Sequence, residues 1–115
     1  MERIIVDTNA LFIPFQLKIR IEDELERLFG KVEIIVPESV INELYNLSKT
    51  NTIARAALKY AMKFRVVKNE GSGDRAIVNL AIKTGYPVLT NDKRLKRILK
   101  SYVQPHLFIE EIRLK

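Results

Sequence analysis

The sequence predicts an α/β fold in which a parallel sheet is covered by helices on both faces. Three observations carry this. Short apolar runs rich in Ile and Val recur along the chain, amphipathic stretches at helical spacing separate them, and Gly, Pro and Asn fall at the junctions. Strands that alternate with helices are joined by crossovers, and crossovers build parallel sheets.

Arg3 to Val6 reads as a short buried strand, ended by the polar turn Asp7-Thr8-Asn9. Residues 10–16 are apolar but contain Pro14, so a helix there is expected to be short or broken. Ile21, Leu25, Leu28 and Phe29 fall at helical spacing, and Gly30 closes that helix. Val32 to Val36 is a second strand. Pro37 suits the first turn of the next helix, which Val40, Ile41, Leu44 and Leu47 continue. After the break at residues 48–51, Asn51 or Thr52 caps a helix marked by Ile53, Ala57, Tyr60 and Phe64. Phe64 to Val67 is a third strand, and residues 68–73 are the clearest loop. A helix from about Asp74 to Thr84 ends at Gly85, and a fourth strand spans Pro87 to Thr90. A helix then runs from Asp92 to about Lys100, and Leu107 to Ile109 is the last strand. No repeat or linker divides the chain, so residues 1–115 are expected to form one domain.

Composition narrows the chemistry. There is no cysteine, which excludes disulfides, thiolate catalysis and cysteine-bound zinc. The single histidine, His106, excludes sites that need several, and is expected to be structural. Acid–base or metal chemistry must therefore come mainly from carboxylates. No apolar run is long enough to span a bilayer and no signal segment is visible, so a cytoplasmic protein is expected. The net charge is +6, placed unevenly. Residues 1–82 hold 12 Lys or Arg against 11 Asp or Glu, whereas residues 83–115 hold 8 against 3. A localised basic excess suits a polyanionic partner, and equally a solvated surface.

In parallel sheets, ligands bind beyond the carboxyl ends of the strands. Asp7 ends the first strand, Asp92 follows the fourth, and Asp74 opens the helix that leaves the third. Glu43 lies about two turns into the helix after the second strand, where it can lean over the same edge. Converging carboxylates raise one another's pKa, and a divalent cation relieves the repulsion. An oxygen-only donor set suits magnesium or manganese better than zinc. Each acid also has a plainer role: Asp74 and Asp92 suit helix caps, Asp7 a turn, and Glu43 an exposed helix position.

Four short motifs then stand in order: Ile4-Ile5-Val6-Asp7-Thr8-Asn9, Val40-Ile41-Asn42-Glu43-Leu44, Gly73-Asp74-Arg75-Ala76-Ile77-Val78 and Val88-Leu89-Thr90-Asn91-Asp92. Together they nearly fill the chain and resemble the PIN-domain family of nucleases. The resemblance implies a three-layer α/β/α fold with a parallel five-stranded sheet, and a magnesium- or manganese-dependent endoribonuclease. It implies that Asp7, Glu43, Asp74 and Asp92 are the acidic metal-binding quartet, with Thr8, Asn9, Thr90 and Asn91 as polar positions beside it. Some relatives carry a further acid where this chain has Arg75. A cation there is expected to pair with Asp74 or with substrate phosphate, and to weaken a second metal position.

Lys93, Arg94, Lys96, Arg97 and Lys100 surround Leu95, Ile98 and Leu99. The apolar three pack inward and the five cations form an outer face beside Asp92, read as a surface that tracks RNA phosphates. A solvated helix face is the alternative. No aromatic residue interleaves these cations, so base stacking is not expected from them. The small size resembles toxins of toxin–antitoxin pairs of the VapC type, with a single-stranded RNA substrate and an antitoxin partner. RNA processing fits equally. A non-catalytic RNA-binding module is the alternative class. A phosphohydrolase with a nucleophilic Asp7 is disfavoured, because Asn9 stands where a second aspartate is usual. Phe12, Ile13, Phe15 and Leu17 are candidates for a homodimer face, or for the core.

Overall fold

The computed structural model describes residues 1–102 and 108–109. The elements are β1 (Glu2–Val6), α1 (Thr8–Leu17), α2 (Ile21–Phe29), β2 (Val32–Pro37), α3 (Glu38–Ser48), α4 (Thr52–Ala61), β3 (Arg65–Val67), α5 (Gly73–Thr84), β4 (Val88–Leu89), α6 (Lys93–Tyr102) and β5 (Phe108–Ile109). The expectations for His106 and Leu107 fall outside the described residues.

The five strands form one parallel sheet in the order β3-β2-β1-β4-β5. Ile4, Ile5 and Val6 of β1 are all fully buried, as are Val88 and Leu89 of β4. Side chains alternate across a strand, so consecutive buried residues require cover on both faces. The order β2-β1-β4 reverses direction of travel at β1, which opens a crevice at the carboxyl ends of β1 and β4.

One expectation is corrected at Pro14. Helix α1 runs unbroken through it for 10 residues. Proline removes one donor, to the Ala10 carbonyl, but its fixed φ is helical. Burial of Ala10, Leu11 and Ile13 holds the helix on the core, and Lys18, at φ 54°, ends it in the left-handed region. The stretch read as a dimer face or as core divides: Ile13 is core, Phe12 packs against it, and Phe15 and Leu17 are exposed. Leu28, Phe29, Leu47 and Ile53 share helical spacing with core residues yet are also exposed.

Asn51 caps α4 as expected, its Oδ1 accepting from the backbone N–H of Ile53 (2.9 Å) and Ala54 (3.1 Å). Tyr60 on α4 ties that helix to the start of α2. Its hydroxyl donates to Glu22 and accepts from the Ile21 N–H at 3.1 Å. Burial pushes the Tyr60 phenol up, and the Glu22 carboxylate adds to the shift. Phe15 and Phe64 meet the Tyr60 ring edge-on, at 6.0 and 5.1 Å between centroids.

Candidate acidic site

Asp7 follows the last residue of β1. The pairing Val6↔Leu89 sets it opposite Thr90, one step beyond both strands. Both side chains are buried, Thr90 completely. Asp7 has extended backbone, and its Oδ1 caps α1 by accepting from the Ala10 N–H at 2.8 Å. The Thr90 hydroxyl donates to Asp7 Oδ2 and accepts from the Asp92 N–H at 2.9 Å. A single hydroxyl thus links the first acid to the backbone of the fourth. Asp92 is itself the cap of α6, its Oδ1 accepting from Arg94 N–H (2.9 Å) and Leu95 N–H (3.3 Å). The plainer role of Asp92 is therefore real and coexists with its place at the edge.

A second threonine holds Glu43. The Thr8 hydroxyl, at the start of α1, donates to Glu43 Oε1 at 2.5 Å across 35 residues. Glu43 lies on an exposed face of α3, and this hydrogen bond turns its carboxylate toward the end of β1. Asp74 is the second residue of α5 rather than its cap, a place taken by Ser72. Its carboxylate faces Arg94 Nε at 3.8 Å. Among the described residues the cation paired with Asp74 is Arg94 of α6, not its neighbour Arg75, whose side chain is exposed. Asn9 and Asn91 are exposed, and no hydrogen bond joins either to the four acids among the described residues.

Electrostatics shows that the acids share one field. Burial pushes the Asp7 carboxyl up to about 6, against the hydrogen bonds from Thr90 and Ala10, and the charges of Asp92 and Asp74 push the same way. Partial burial also raises Asp74, with Asp92 and Glu43 adding to the rise and Arg94 opposing it. In the arrangement seen, each acid accepts from a protein donor or faces a cation. Among the described residues no group of three or more acids is drawn together around a single point that could hold an ion. The donor chemistry is all oxygen, which matches magnesium or manganese, ions that keep several waters and use only one or two carboxylates directly.

One positioning residue was not singled out from the sequence. Asn69, in the loop between β3 and α5, accepts from the Ser39 N–H at 2.9 Å. Its Nδ2 donates to the Ser39 hydroxyl at 2.9 Å and to the Ala76 carbonyl at 3.4 Å. It locks the start of α3, which carries Glu43, to the first turn of α5, which carries Asp74. An asparagine in a polar loop was the visible sign, but its partner lies 30 residues away. On the basic helix α6, Leu95 and Leu99 are buried and Ile98 is partly so, while Lys93, Arg94, Arg97 and Lys100 are exposed and Lys96 partly so.

Fold and edge together define an α/β protein with Asp7 and Asp92 at the carboxyl ends of neighbouring parallel strands, linked through Thr90. The PIN-like domain family matches residues 4–108, and the chain belongs to that family. Ribonuclease VapC9 of Archaeoglobus fulgidus is 36% identical over 112 residues, covering 93% of this chain and 82% of that one. Ribonuclease VapC4 of Methanocaldococcus jannaschii is 30% identical over 121 residues, covering 96% and 92%. The solved PIN domain endonuclease Utp24 is similar at a TM-score of 0.72 and 31% identity, over 84% of this chain and 76% of that one. A domain of a functionally unknown protein from Methanocaldococcus jannaschii, 21% identical, shares the fold at a TM-score of 0.69 over 100% and 92% of the two chains.

Proposed function

We propose that this chain is a magnesium- or manganese-dependent endoribonuclease that hydrolyses RNA phosphodiester bonds. The observation that carries the reading is the buried Asp7 at the end of β1, joined through Thr90 to Asp92 and sharing a field with Asp74. Burial and the neighbouring acids make an ionised Asp7 costly, and a divalent cation there would offset that cost. Asp7 and Asp92 would be the first residues to hold it, and Asp74 on α5 and Glu43 on α3 would complete the set. A divalent ion there would neutralise the scissile phosphate and lower the pKa of the attacking water. Thr90 and Thr8 hold the carboxylates in place by hydrogen bonds. Lys93, Arg94, Lys96, Arg97 and Arg75 would contact the strand's phosphates.

The biological role we propose is that of a cytoplasmic toxin with a small antitoxin partner; the relatives named as VapC ribonucleases support its ribonuclease part. No helix among the described residues is long and apolar enough to cross a membrane. The test is incubation of the purified chain with single-stranded RNA and magnesium or manganese, with and without chelator. Metal-dependent cleavage that is lost in Asp7→Asn supports the reading, and cleavage that persists in chelator sinks it. Purification with the product of an adjacent small gene would test the toxin role.

A second reading is a non-catalytic RNA-binding module. The absence of a three-acid cluster around one point among the described residues favours it. It predicts RNA binding with neither cleavage nor divalent-cation affinity.

A further inference from the structure

A cleft of about 750 Å³ runs between α5 and α6, beginning at Asp74. Arg75 and Arg94 flank its acidic end. Val78, Ile82 and Ile98 line it, and Tyr102 stands at the α6 end. Ile82 is 50% exposed and Tyr102 70% exposed, both large apolar side chains left facing solvent on facing helices. Arg94 joins the cleft to the acids directly through its contact with Asp74.

We propose that this cleft holds a nucleotide of the RNA strand next to the scissile phosphate, with its phosphate at Arg75 and Arg94 and its base on Tyr102 and Ile82. The assignment rests on the ribonuclease reading of the adjacent acids. A nucleotide couples an anionic phosphate to a flat apolar face, and the cleft offers those two chemistries in that order. Guanidinium groups give phosphates fork-shaped donor pairs. An aromatic ring flanked by aliphatic side chains accepts any base by stacking, without reading its identity. From Asp74 to Ile82 the helix advances roughly 12 Å at about 1.5 Å per residue, so the base platform lies beside the acids rather than over them. Among the described residues Asp74 is the only acid on the cleft wall, which disfavours a basic peptide as the occupant.

The experiment measures fluorescence anisotropy in chelator, so that binding is separated from cleavage. The probes are a short labelled single-stranded RNA and a labelled ribose-phosphate strand of the same length that lacks bases. The wild type is expected to bind the base-bearing strand more tightly. Tyr102→Ala is expected to weaken that binding about tenfold while leaving the abasic strand unchanged, and Ile82→Ser to act in the same direction. Arg75→Ala is expected to weaken both strands alike. Equal affinity of the wild type for the two strands, or an equal loss on both in Tyr102→Ala, would overturn the proposal. Base-dependent binding in a chain that never cleaves RNA with metal would retain the cleft and reject the ribonuclease reading.

Discussion

Asp7 is buried with a carboxyl that the fold prefers protonated. The unfolded chain binds that proton with a pKa near 3.8 and the folded chain near 6, so folding takes up a proton between those values. Stability is therefore highest below the lower value and falls as pH rises through the upper one, by on the order of 3 kcal/mol from this residue. Asp7→Asn keeps an oxygen for the Ala10 N–H and removes the charge. Denaturant titrations in chelator should find the variant more stable than wild type at pH about 8 and nearly equal at pH about 4. A variant less stable than wild type at both pH values would contradict the assignment. Thr90→Val tests the same point from the other side. It leaves Asp7 Oδ2 and the Asp92 N–H without their shared hydroxyl, and should cost about 1–3 kcal/mol by the same titration.

At the level of elements, α1 contains a proline that it does not require. Pro14 is half-buried and removes one bond from a 10-residue helix. Pro14→Ala is expected to stabilise the chain by about 1–3 kcal/mol, read as a raised thermal midpoint. No change would mean that the proline ring packs as well as the bond it displaces. The junction of α3 and α5 depends on Asn69. Asn69→Ala should lower stability by about 1–3 kcal/mol, since it strips three hydrogen bonds from a half-buried site. Because those bonds join the helices that carry Glu43 and Asp74, the variant should also need more metal for half-maximal cleavage. A stability loss with an unchanged metal requirement would assign Asn69 to the fold alone.

For the whole molecule, binding and folding are linked. A cation that binds the folded chain and not the unfolded one stabilises it by about 2.7 kcal/mol at a hundredfold excess over its dissociation constant. Magnesium or manganese should therefore raise the thermal midpoint of wild type, and much less that of Asp7→Asn. An equal rise in both would place the ion elsewhere. Charge acts at this scale too. Because the basic excess is concentrated in residues 83–115, each of Lys96→Ala and Arg97→Ala should reduce the salt dependence of RNA binding by roughly one counterion.

The amino-acid sequence alone specifies the parallel α/β fold, the order of its five strands along the chain, and the strand ends beside which Asp7 and Asp92 stand. Those follow from hydrophobic period and from the ends of buried strands, which local residues dictate. It also placed Thr8 and Thr90 beside the acids, through family resemblance. Tertiary packing alone settles which carboxylates those hydroxyls donate to, since Thr90 and Asp7 are 83 positions apart. The same holds for Arg94 rather than Arg75 facing Asp74, and for Asn69 bridging two helices. Pro14 shows the limit of propensity: core packing held a helix that the local rule would break. Tyr102 lies beyond the cations read as a phosphate surface, and the α5–α6 cleft gives it a partner surface only when the two helices are packed. Periodicity assigns a residue to a face, but the contact it makes depends on how the faces of distant segments meet.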